Sequence, residues 1–160
     1  MEVRELARDD RDWAERLVST HNASSRIVSR GVLHDTLRLP GLIAESDGVP
    51  VGLLQYHVVE AQFEVVVLIA DRRRQGIGRL LLRAAEPLAS SHGCKRIWLV
   101  TTNENRAALS FYPAVGWRQV AVYRGAVRES RRLKPEIPEF AADGAPIEDE
   151  IEFELILEGG

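Results

Sequence analysis

The stretch that decides the fold is LIADRRRQGIGRLLLRAAE, residues 68–86. An apolar run ends at Ala70, three arginines follow, two glycines come next, and a leucine-rich segment then begins. From Gly76 the apolar residues recur with a period of about 3.6, which predicts an amphipathic helix that packs on a sheet. The first N–H groups of a helix are unpaired and its dipole adds partial positive charge, so this strand-to-helix turn predicts an anion site.

The two glycines fit such a site, because Gly76 and Gly78 lack the Cβ atoms that would hold a phosphate away from the backbone. Three positively charged side chains surround them: Arg73, Arg74 and Arg79. The pattern predicts a turn that holds a pyrophosphate, although Gly-x-Gly also occurs where a helix simply packs closely. It is not a dinucleotide fingerprint, whose third glycine would fall at Leu81, nor a Walker loop, since no Gly-Lys-Ser/Thr follows.

Apolar periodicity predicts the elements around this stretch. Upstream we expect a first strand, a helix over Asp9–Ser19, a shorter helix around Ser29–Leu37, and three antiparallel strands, the last at Phe63–Ala70. The Asp47-Gly48 pair between apolar runs predicts the hairpin turn. Pro87 lies inside the leucine-rich helix and lacks an N–H, so we expect a kink or fraying there.

Downstream of the helix, strands and helices alternate. We expect a strand at residues 95–102, a helix that ends at Gly116, and a strand at residues 117–125. Residues 128–149 are rich in proline and charge and are predicted to be irregular, and the alternating EIEFELIL predicts a last half-buried strand. The order indicates a mixed α/β sheet.

Composition limits the function classes. The chain has 160 residues, 45% of them hydrophobic, which fits one domain over residues 1–160. A net charge of -3 gives no overall field for nucleic acid, and the longest apolar run is too short to span a bilayer. Cys94 is the single cysteine, which agrees with a reducing, cytoplasmic location. We therefore expect no nucleic-acid partner, no membrane role and no metal site.

Two motifs resemble a known family. RRQGIGRLLL is similar to the R/Q-x-x-G-x-G/A acetyl-CoA motif of the GNAT acetyltransferase superfamily, with Arg73, Gly76 and Gly78 at the motif positions. TTNENRAALSFYPAVGW resembles the next signature, an Asn followed by Ala-Leu, Phe-Tyr and Gly-aromatic. The resemblance covers nearly the whole chain and points to a bacterial subgroup. It implies a mostly antiparallel mixed sheet of about seven strands with helices on both faces.

The resemblance implies acetyl-CoA as co-substrate. In GNAT proteins the strand before the glycine turn carries a bulge and splays from the next parallel strand, which leaves a cleft for the pantetheine arm. Backbone groups of Leu68, Ile69 and Ala70 would bond the arm, and Asn105 would contact it, with helix capping as the alternative. The remaining implied cofactor residues form the turn: Arg73, Arg74, Gln75, Gly76, Ile77, Gly78 and Arg79.

The implied chemistry is direct attack of an amine on the acetyl thioester. Tyr112 matches the family's general acid, with a plain core aromatic beside Phe111 as the alternative and Tyr123 in reserve, and a backbone N–H near Leu68 would stabilise the oxyanion. Glu64 lies near the start of the cleft strand, where period two places it on one face with Val66 and Leu68. It is the candidate base acting through water, or else an exposed strand residue, and His57 is a second base candidate.

Several other polar residues have both a functional and an ordinary structural interpretation. His34 and Asp35 could border the acceptor pocket, but such a pair is more often a surface hydrogen bond. The acidic run at residues 148–154 could attract a cationic amine, but is more often a solvated strand face. Arg131, Arg132 and Lys134 are interpreted as surface charge, which could reach the 3′-phosphate of the cofactor.

These residues favour an N-acetyltransferase acting on the primary amine of a small molecule or peptide. The alternative is a catalytically inactive module that binds coenzyme A and serves as a sensor or partner-binding domain. The resemblance also allows a homodimer, because dimers are common in this superfamily.

Overall fold

The computed structural model describes residues 1–71 and 76–158. Residues 72–75 and 159–160 lie outside the described part of the chain. Two short 3₁₀ turns, Arg8–Asp10 and Thr36–Arg38, accompany the main elements. In chain order those elements are β1 Glu2–Glu5, α1 Arg11–Asn22, β2 Arg26–Ser29, β3 Val32–Asp35, β4 Gly41–Ser46, β5 Val49–Val59, β6 Gln62–Ala70, α2 Ile77–Ser91, β7 Arg96–Thr102, α3 Arg106–Ala114, β8 Arg118–Tyr123, α4 Ala126–Leu133 and β9 Glu150–Ile156.

The described residues form a seven-stranded sheet with the order β1-β4-β5-β6-β7-β9-β8 and a separate hairpin of β2 and β3. Its strand pairs are antiparallel except for β6 and β7, which run parallel. Such a parallel pair needs a crossover, and α2 supplies it. The predicted fold class is confirmed.

Helices cover both faces of the sheet, and each face has its own apolar cluster. On one face α1 packs Ala14 and Val18 against Ile43, Leu53 and Val67. On the other face α2 and α3 pack against a larger set, in which the most buried side chains are Phe63, Leu54, Leu81, Ile97 and Phe153. In β4, Leu42 and Ala44 lie in one cluster and Ile43 in the other, as period two requires.

The predicted β4–β5 hairpin is confirmed. Asp47 and Gly48 both have positive φ, at 52° and 76°. Two consecutive residues in this region make the type of turn whose twist matches that of the flanking strands.

The predicted short helix over Ser29–Leu37 is wrong. This segment instead forms the β2–β3 hairpin, with Arg30 and Gly31 in the turn at φ 46° and 77°. A left-handed pair at this position reverses the chain and ends any helical path. The hairpin brings Ser29 and His34 to the sheet, and both side chains are buried.

The segment predicted to be irregular contains a helix, α4, that begins after the left-handed Gly125. Its buried side chains are Val127 and Ser130, and Lys134 follows the helix. Lys134 is 5% exposed rather than a surface charge, and its ammonium donates to the carbonyls of Asn22 and Arg26 at 2.6 Å each. Burial lowers the pKa of Lys134. This side chain therefore ties α4 to the end of α1 and to the hairpin.

Arg131, also expected at the surface, donates to the carbonyls of Ile137, Pro138 and Ile147 and thereby holds the loop before β9. Helix α2 continues through Pro87 to Ser91, so the expected early fraying does not occur. No helix in the described ranges is long and apolar enough to cross a membrane.

Close packing fixes α2 on β5. A Cβ built at Gly52 would lie 2.5 Å from Cγ2 of Ile77 and 3.1 Å from Cδ1 of Leu81. Ile77 is 1% exposed, so its side chain has no free volume to enter. The first turn of α2 therefore rests directly on the backbone of β5.

We predict that Gly52→Ala lowers the free energy of unfolding by about 1–3 kcal/mol, because the added methyl overpacks this contact. The measurement is urea unfolding of Gly52→Ala, Ile77→Ala and the double variant. In the Ile77→Ala background the clashing methyl is gone, so Gly52→Ala should cost much less. Additive costs would contradict the contact.

Candidate functional site

Strands β6 and β7 pair over only three residues each. The register joins Gln62 to Arg96 and ends at Glu64 with Trp98, although β6 runs on to Ala70. Beyond that pair, the side of β6 that faces β7 has no strand partner within the described ranges. The two strands form a fork that closes at Glu64 and opens toward α2.

A β-bulge on β6 accompanies the fork. Gln55 of β5 pairs with Val67 and Tyr56 pairs with Val65, so Val66 is an extra residue on β6. A bulge bends its strand and increases the local twist, which turns β6 away from β7. The predicted bulge and splay are thus present in this chain.

The bulge also changes which side chains share a face. Period two predicted that Glu64, Val66 and Leu68 point the same way. Leu68 instead packs in the cluster under α2, whereas Val66 packs in the cluster under α1. This part of the prediction is wrong because the extra residue shifts the alternation by one.

The open end of the fork leads to the first turn of α2. Gly76 is the N-cap in the left-handed conformation, at φ 85° and ψ 0°, and among the described residues nothing lies within 4 Å of the position of a Cβ. The Gly76 N-cap has no side chain to bond the first N–H groups of the helix, and such groups are the part of a helix that can bind an anion. Arg79 is exposed in this turn. The predicted contacts of Arg73, Arg74 and Gln75 fall outside the described residues.

Gly78 has a different physical role from Gly76. A Cβ at Gly78 would lie 3.2 Å from Cζ of Phe111, so the missing Cβ allows α2 and α3 to pack closely. Close packing was the alternative that the sequence left open for this pair of glycines, and it holds for the second one. The side chain of Ile77 points into the core, which leaves only its backbone facing the turn.

The two asparagines before α3 have clear structural partners. Asn105 is the N-cap, and its Oδ1 accepts a hydrogen bond from the N–H of Ala108 at 3.1 Å. Asn103 does not cap the helix, because its Oδ1 accepts from the N–H groups of Glu148 and Asp149. Capping therefore accounts for Asn105 Oδ1, and a cofactor contact would use Nδ2.

Tyr112 is enclosed in an aromatic cluster. Its ring centroid lies 5.2 Å from that of Phe111, 5.5 Å from Trp117 and 5.4 Å from Phe153, and the residue is 7% exposed. Burial raises the pKa of Tyr112 well above its usual value, so the phenol keeps its proton. The reserve candidate Tyr123 instead donates its hydroxyl to Glu152 at 2.8 Å.

Glu64 lies at the closed end of the fork and is 6% exposed, so it is not an exposed strand residue. Its Oε2 accepts a hydrogen bond from the Ser29 hydroxyl at 2.5 Å, and its Oε1 lies 3.6 Å from Nε2 of His34. His57 pairs with Glu64 across the β5–β6 ladder. The structure thus brings together Glu64, His57 and His34, which come from three separate strands.

A small pocket of about 100 Å³ adjoins Glu64 and His57. Its other lining residues are Val59, Glu60, Gln62 and Trp98, and none of the six side chains is a lysine or arginine. Asp35 does not join this group, because it is exposed and caps the following 3₁₀ turn by accepting from the N–H of Leu37.

The glutamates of β9 form a polar face beside the fork, and they are not a solvated edge. Glu150 pairs with Arg30 at 3.2 Å, and Glu152 pairs with Arg96 at 3.0 Å. Glu154 accepts from Arg96 at 2.6 Å and from Arg118 at 3.0 Å. Burial alone would raise the pKa of Glu154, but these hydrogen bonds outweigh it and lower the pKa. These carboxylates are already paired and do not form a free acidic attractant.

Sequence reasoning missed Ser29 and Trp98. The turn signal Arg30-Gly31 between two short apolar pairs could have indicated the hairpin that carries Ser29. No local signal marks Trp98, because its place beside Glu64 follows from the register of two strands that are distant in the chain.

Comparisons with known proteins agree with this geometry. The family model described as Acetyltransferase (GNAT) family matches residues 3–117. YdhI of Bacillus subtilis (strain 168) is 39% identical over 121 residues, which cover 75% of this chain and 76% of that protein. YxbD of the same strain is 36% identical over 126 residues, which cover 78% and 79%. Both relatives are described as uncharacterized.

Solved structures share the fold at low sequence identity. The ribosomal-protein-S18-alanine N-acetyltransferase of Escherichia coli has a TM-score of 0.69 at 19% sequence identity. The alignment covers 99% of this chain and 96% of that one. A Bacillus subtilis acetyltransferase in complex with CoA has a TM-score of 0.66 at 18% identity, with 98% of this chain and 97% of that one covered. The chain therefore belongs to the GNAT family of acetyltransferases, whose reaction is acetyl transfer and whose co-substrate is acetyl-CoA.

Proposed function

We propose that this chain is an N-acetyltransferase that moves the acetyl group of acetyl-CoA to a primary amine by direct attack in a ternary complex. The acceptor is a small molecule or a peptide. One observation carries the proposal: the fork between β6 and β7 opens toward the N-terminus of α2 and closes at a buried carboxylate, Glu64, whose partners among the described residues are a hydroxyl and an imidazole. An anion site and a base thus lie at opposite ends of one gap.

The residues present fit acetyl-CoA. Open space above Gly76 and the N–H groups in the first turn of α2 suit its pyrophosphate, together with Arg73, Arg74, Gln75 and Arg79. Backbone groups of Leu68, Ile69 and Ala70 lie where β6 has left β7 and would bond the amides of the pantetheine arm. When bound, the co-substrate supplies an activated acetyl thioester.

Glu64 is the proposed base. A carboxylate that accepts one hydrogen bond from Ser29 retains acceptor capacity on its second oxygen. The adjoining pocket of about 100 Å³ admits a short amine or a water between the amine and Glu64. Its lining contains the carboxylates of Glu60 and Glu64 and no lysine or arginine, which suits an ammonium group before it loses its proton.

Tyr112 is the proposed acid, which donates its proton to the departing sulfur. Because burial raises its pKa, the phenol is protonated at neutral pH and so has a proton to give. A backbone N–H near Leu68, on the free side of β6, is the proposed donor to the oxygen of the reacting carbonyl.

The acceptor would approach across the polar face. A shallow groove of about 610 Å³ runs over β7, β9 and β8 and is lined by Arg96, Arg118, Tyr123, Glu152 and Glu154 among others. Its paired charges offer both donors and acceptors, which suits a polar small molecule or a peptide backbone.

One observation favours the second candidate function, an inactive module that binds coenzyme A. Tyr112 lies inside an aromatic cluster and is 7% exposed, as expected of a core residue. Free-thiol release from acetyl-CoA across a panel of amines separates the two functions. Binding of coenzyme A without turnover on any amine would support the module.

Tyr112→Phe should lower kcat by about a hundredfold or more, because a general acid contributes at least that much, and should leave the affinity for coenzyme A unchanged. The matched control is Tyr123→Phe, which removes a hydroxyl that is bonded to Glu152. It should lower kcat far less. Equal effects of the two changes would contradict the role of Tyr112.

Gly76→Ala should weaken coenzyme A binding at least tenfold, because a Cβ at φ 85° strains the turn that holds the pyrophosphate. Gly125 is the matched control, since it is also a left-handed N-cap, at φ 73° and ψ 3°, with open space around its Cβ position. Both alanine variants should lose about 1 kcal/mol of stability. Only Gly76→Ala should lose affinity in calorimetric titration, and equal loss in both would refute the assignment.

Burial raises the pKa of Tyr112 above that of an unfolded tyrosine, so the folded chain binds this proton more tightly. Its stabilising contribution is fully present below about pH 10 and falls as the pH rises further. Urea unfolding between about pH 9 and 11 should therefore show a steeper loss of stability for the parent than for Tyr112→Phe. Parallel curves would show that Tyr112 is not buried in solution.

A further inference from the structure

Two ionisable side chains lie buried side by side at the closed end of the fork. The His34 and Glu64 side chains are 5% and 7% exposed, and Nε2 of His34 lies 3.6 Å from Oε1 of Glu64. Nε2 has no hydrogen-bond partner among the described residues. Buried polar atoms are nearly always hydrogen-bonded, so this ring nitrogen needs a functional explanation.

The second oxygen of Glu64 is already committed. Ser29 donates to Oε2 at 2.5 Å, and Ser29 and His34 both belong to the β2–β3 hairpin. The hairpin therefore holds one carboxylate oxygen and presents an imidazole nitrogen to the other. Lys134 anchors the start of β2 through the carbonyl of Arg26.

Among the described residues, the other charged or titratable groups near the pair are not ion-pair partners of the Glu64 carboxylate. His57 of β5 contacts the His34 ring edge-on, with centroids 5.3 Å apart, and Glu60 lines the same pocket. Arg30 in the hairpin turn forms an ion pair with Glu150, and Glu152 of β9 forms an ion pair with Arg96. Among the described residues, the basic group within 4.0 Å of the Glu64 carboxylate is the imidazole of His34.

We infer that His34 is the neutral proton acceptor behind Glu64, so that the proton which Glu64 takes from the acceptor amine passes to Nε2 of His34 and comes to rest there. The inference rests on the proposed role of Glu64 as base. His34 acts through Glu64 and is therefore a positioning residue rather than a group that touches the substrate.

The proton transfer balances without another reactant. An N–H bond of the acceptor ammonium breaks and an O–H bond forms on Glu64, which becomes neutral. That O–H bond then breaks as an N–H bond forms on Nε2 of His34, which becomes an imidazolium beside a regenerated carboxylate. An imidazole nitrogen is ordinarily more basic than a carboxylate, and the adjacent carboxylate attracts the imidazolium, so the proton comes to rest on the ring.

The proton affinity of His34 can be measured without any acetyl transfer. The chain has four histidines, His21, His34, His57 and His92, so their ring nitrogens can be assigned by ¹⁵N NMR with single His→Gln variants. As the pH is lowered, the His34 ring of Glu64→Gln should take up its proton at a lower pH than the ring of the parent, because the carboxylate that favours a ring proton is gone. The exposed His21 should not change.

Ser29→Ala is the matched control, because it removes the hydrogen bond to Glu64 but not the charge. It should leave the pH at which the His34 ring takes up its proton close to that of the parent. A His34 ring that does not respond to Glu64→Gln, or that responds equally to Ser29→Ala, would overturn the inference. The reciprocal variant His34→Gln tests the pair again through the ¹³C signal of the Glu64 carboxyl, should Glu64→Gln not fold.

Kinetics add a readout that a purely structural His34 would not move. With an accepted amine, His34→Gln should lower kcat about tenfold and leave the KM of the amine unchanged. It should also move the acid limb of the pH profile of kcat/KM to lower pH by about one to two pH units, from the range of an imidazole to that of a carboxyl group. His57→Gln should leave the limb in place. If His57→Gln moves the acid limb and His34→Gln does not, the inference is overturned. If the chain turns over no amine at all, the proposed function is refuted, and the NMR result alone decides the inference.

Discussion

The loss of pairing between β6 and β7 beyond Glu64 and Trp98 is the constraint on which the rest of the structure depends. A parallel pair inside a sheet would normally satisfy both backbones along its length. Here the extra residue at Val66 turns β6 aside while β5 still holds its other edge as far as Ala70. The gap therefore has a rigid wall, and its open end is the first turn of α2.

Glu64 differs from the neighbouring buried carboxylates in the side chains that it contacts. Glu150 and Glu154 each pair with arginine, and those pairs offset the cost of burying them. Glu64 is equally buried but has only a hydroxyl and an imidazole beside it. The partners of Glu64 thus differ from those of the arginine-paired glutamates, and this difference supports the proposal that Glu64 is the base.

Local patterns predicted the parts of the fold that local chemistry determines. The Asp47-Gly48 turn, the helix after Gly76 and the alternating last strand all follow from residue types and spacing. The same patterns did not predict the β2–β3 hairpin that carries Ser29, or the change at Val66 in which face of β6 each side chain lies on. Both depend on contacts between different segments of the chain. The candidate site combines the two kinds: the glycine turn before α2 could be recognised in the sequence, whereas the surroundings of Glu64 depend on the strand register.

A crystal structure of the chain with coenzyme A tests the central claim most directly. We predict that the pantetheine arm lies between β6 and β7, bonded to the backbone of residues 68–70, with the pyrophosphate on the amides that follow Gly76. The cofactor bound elsewhere, or β6 paired with β7 along its whole length, would contradict the account.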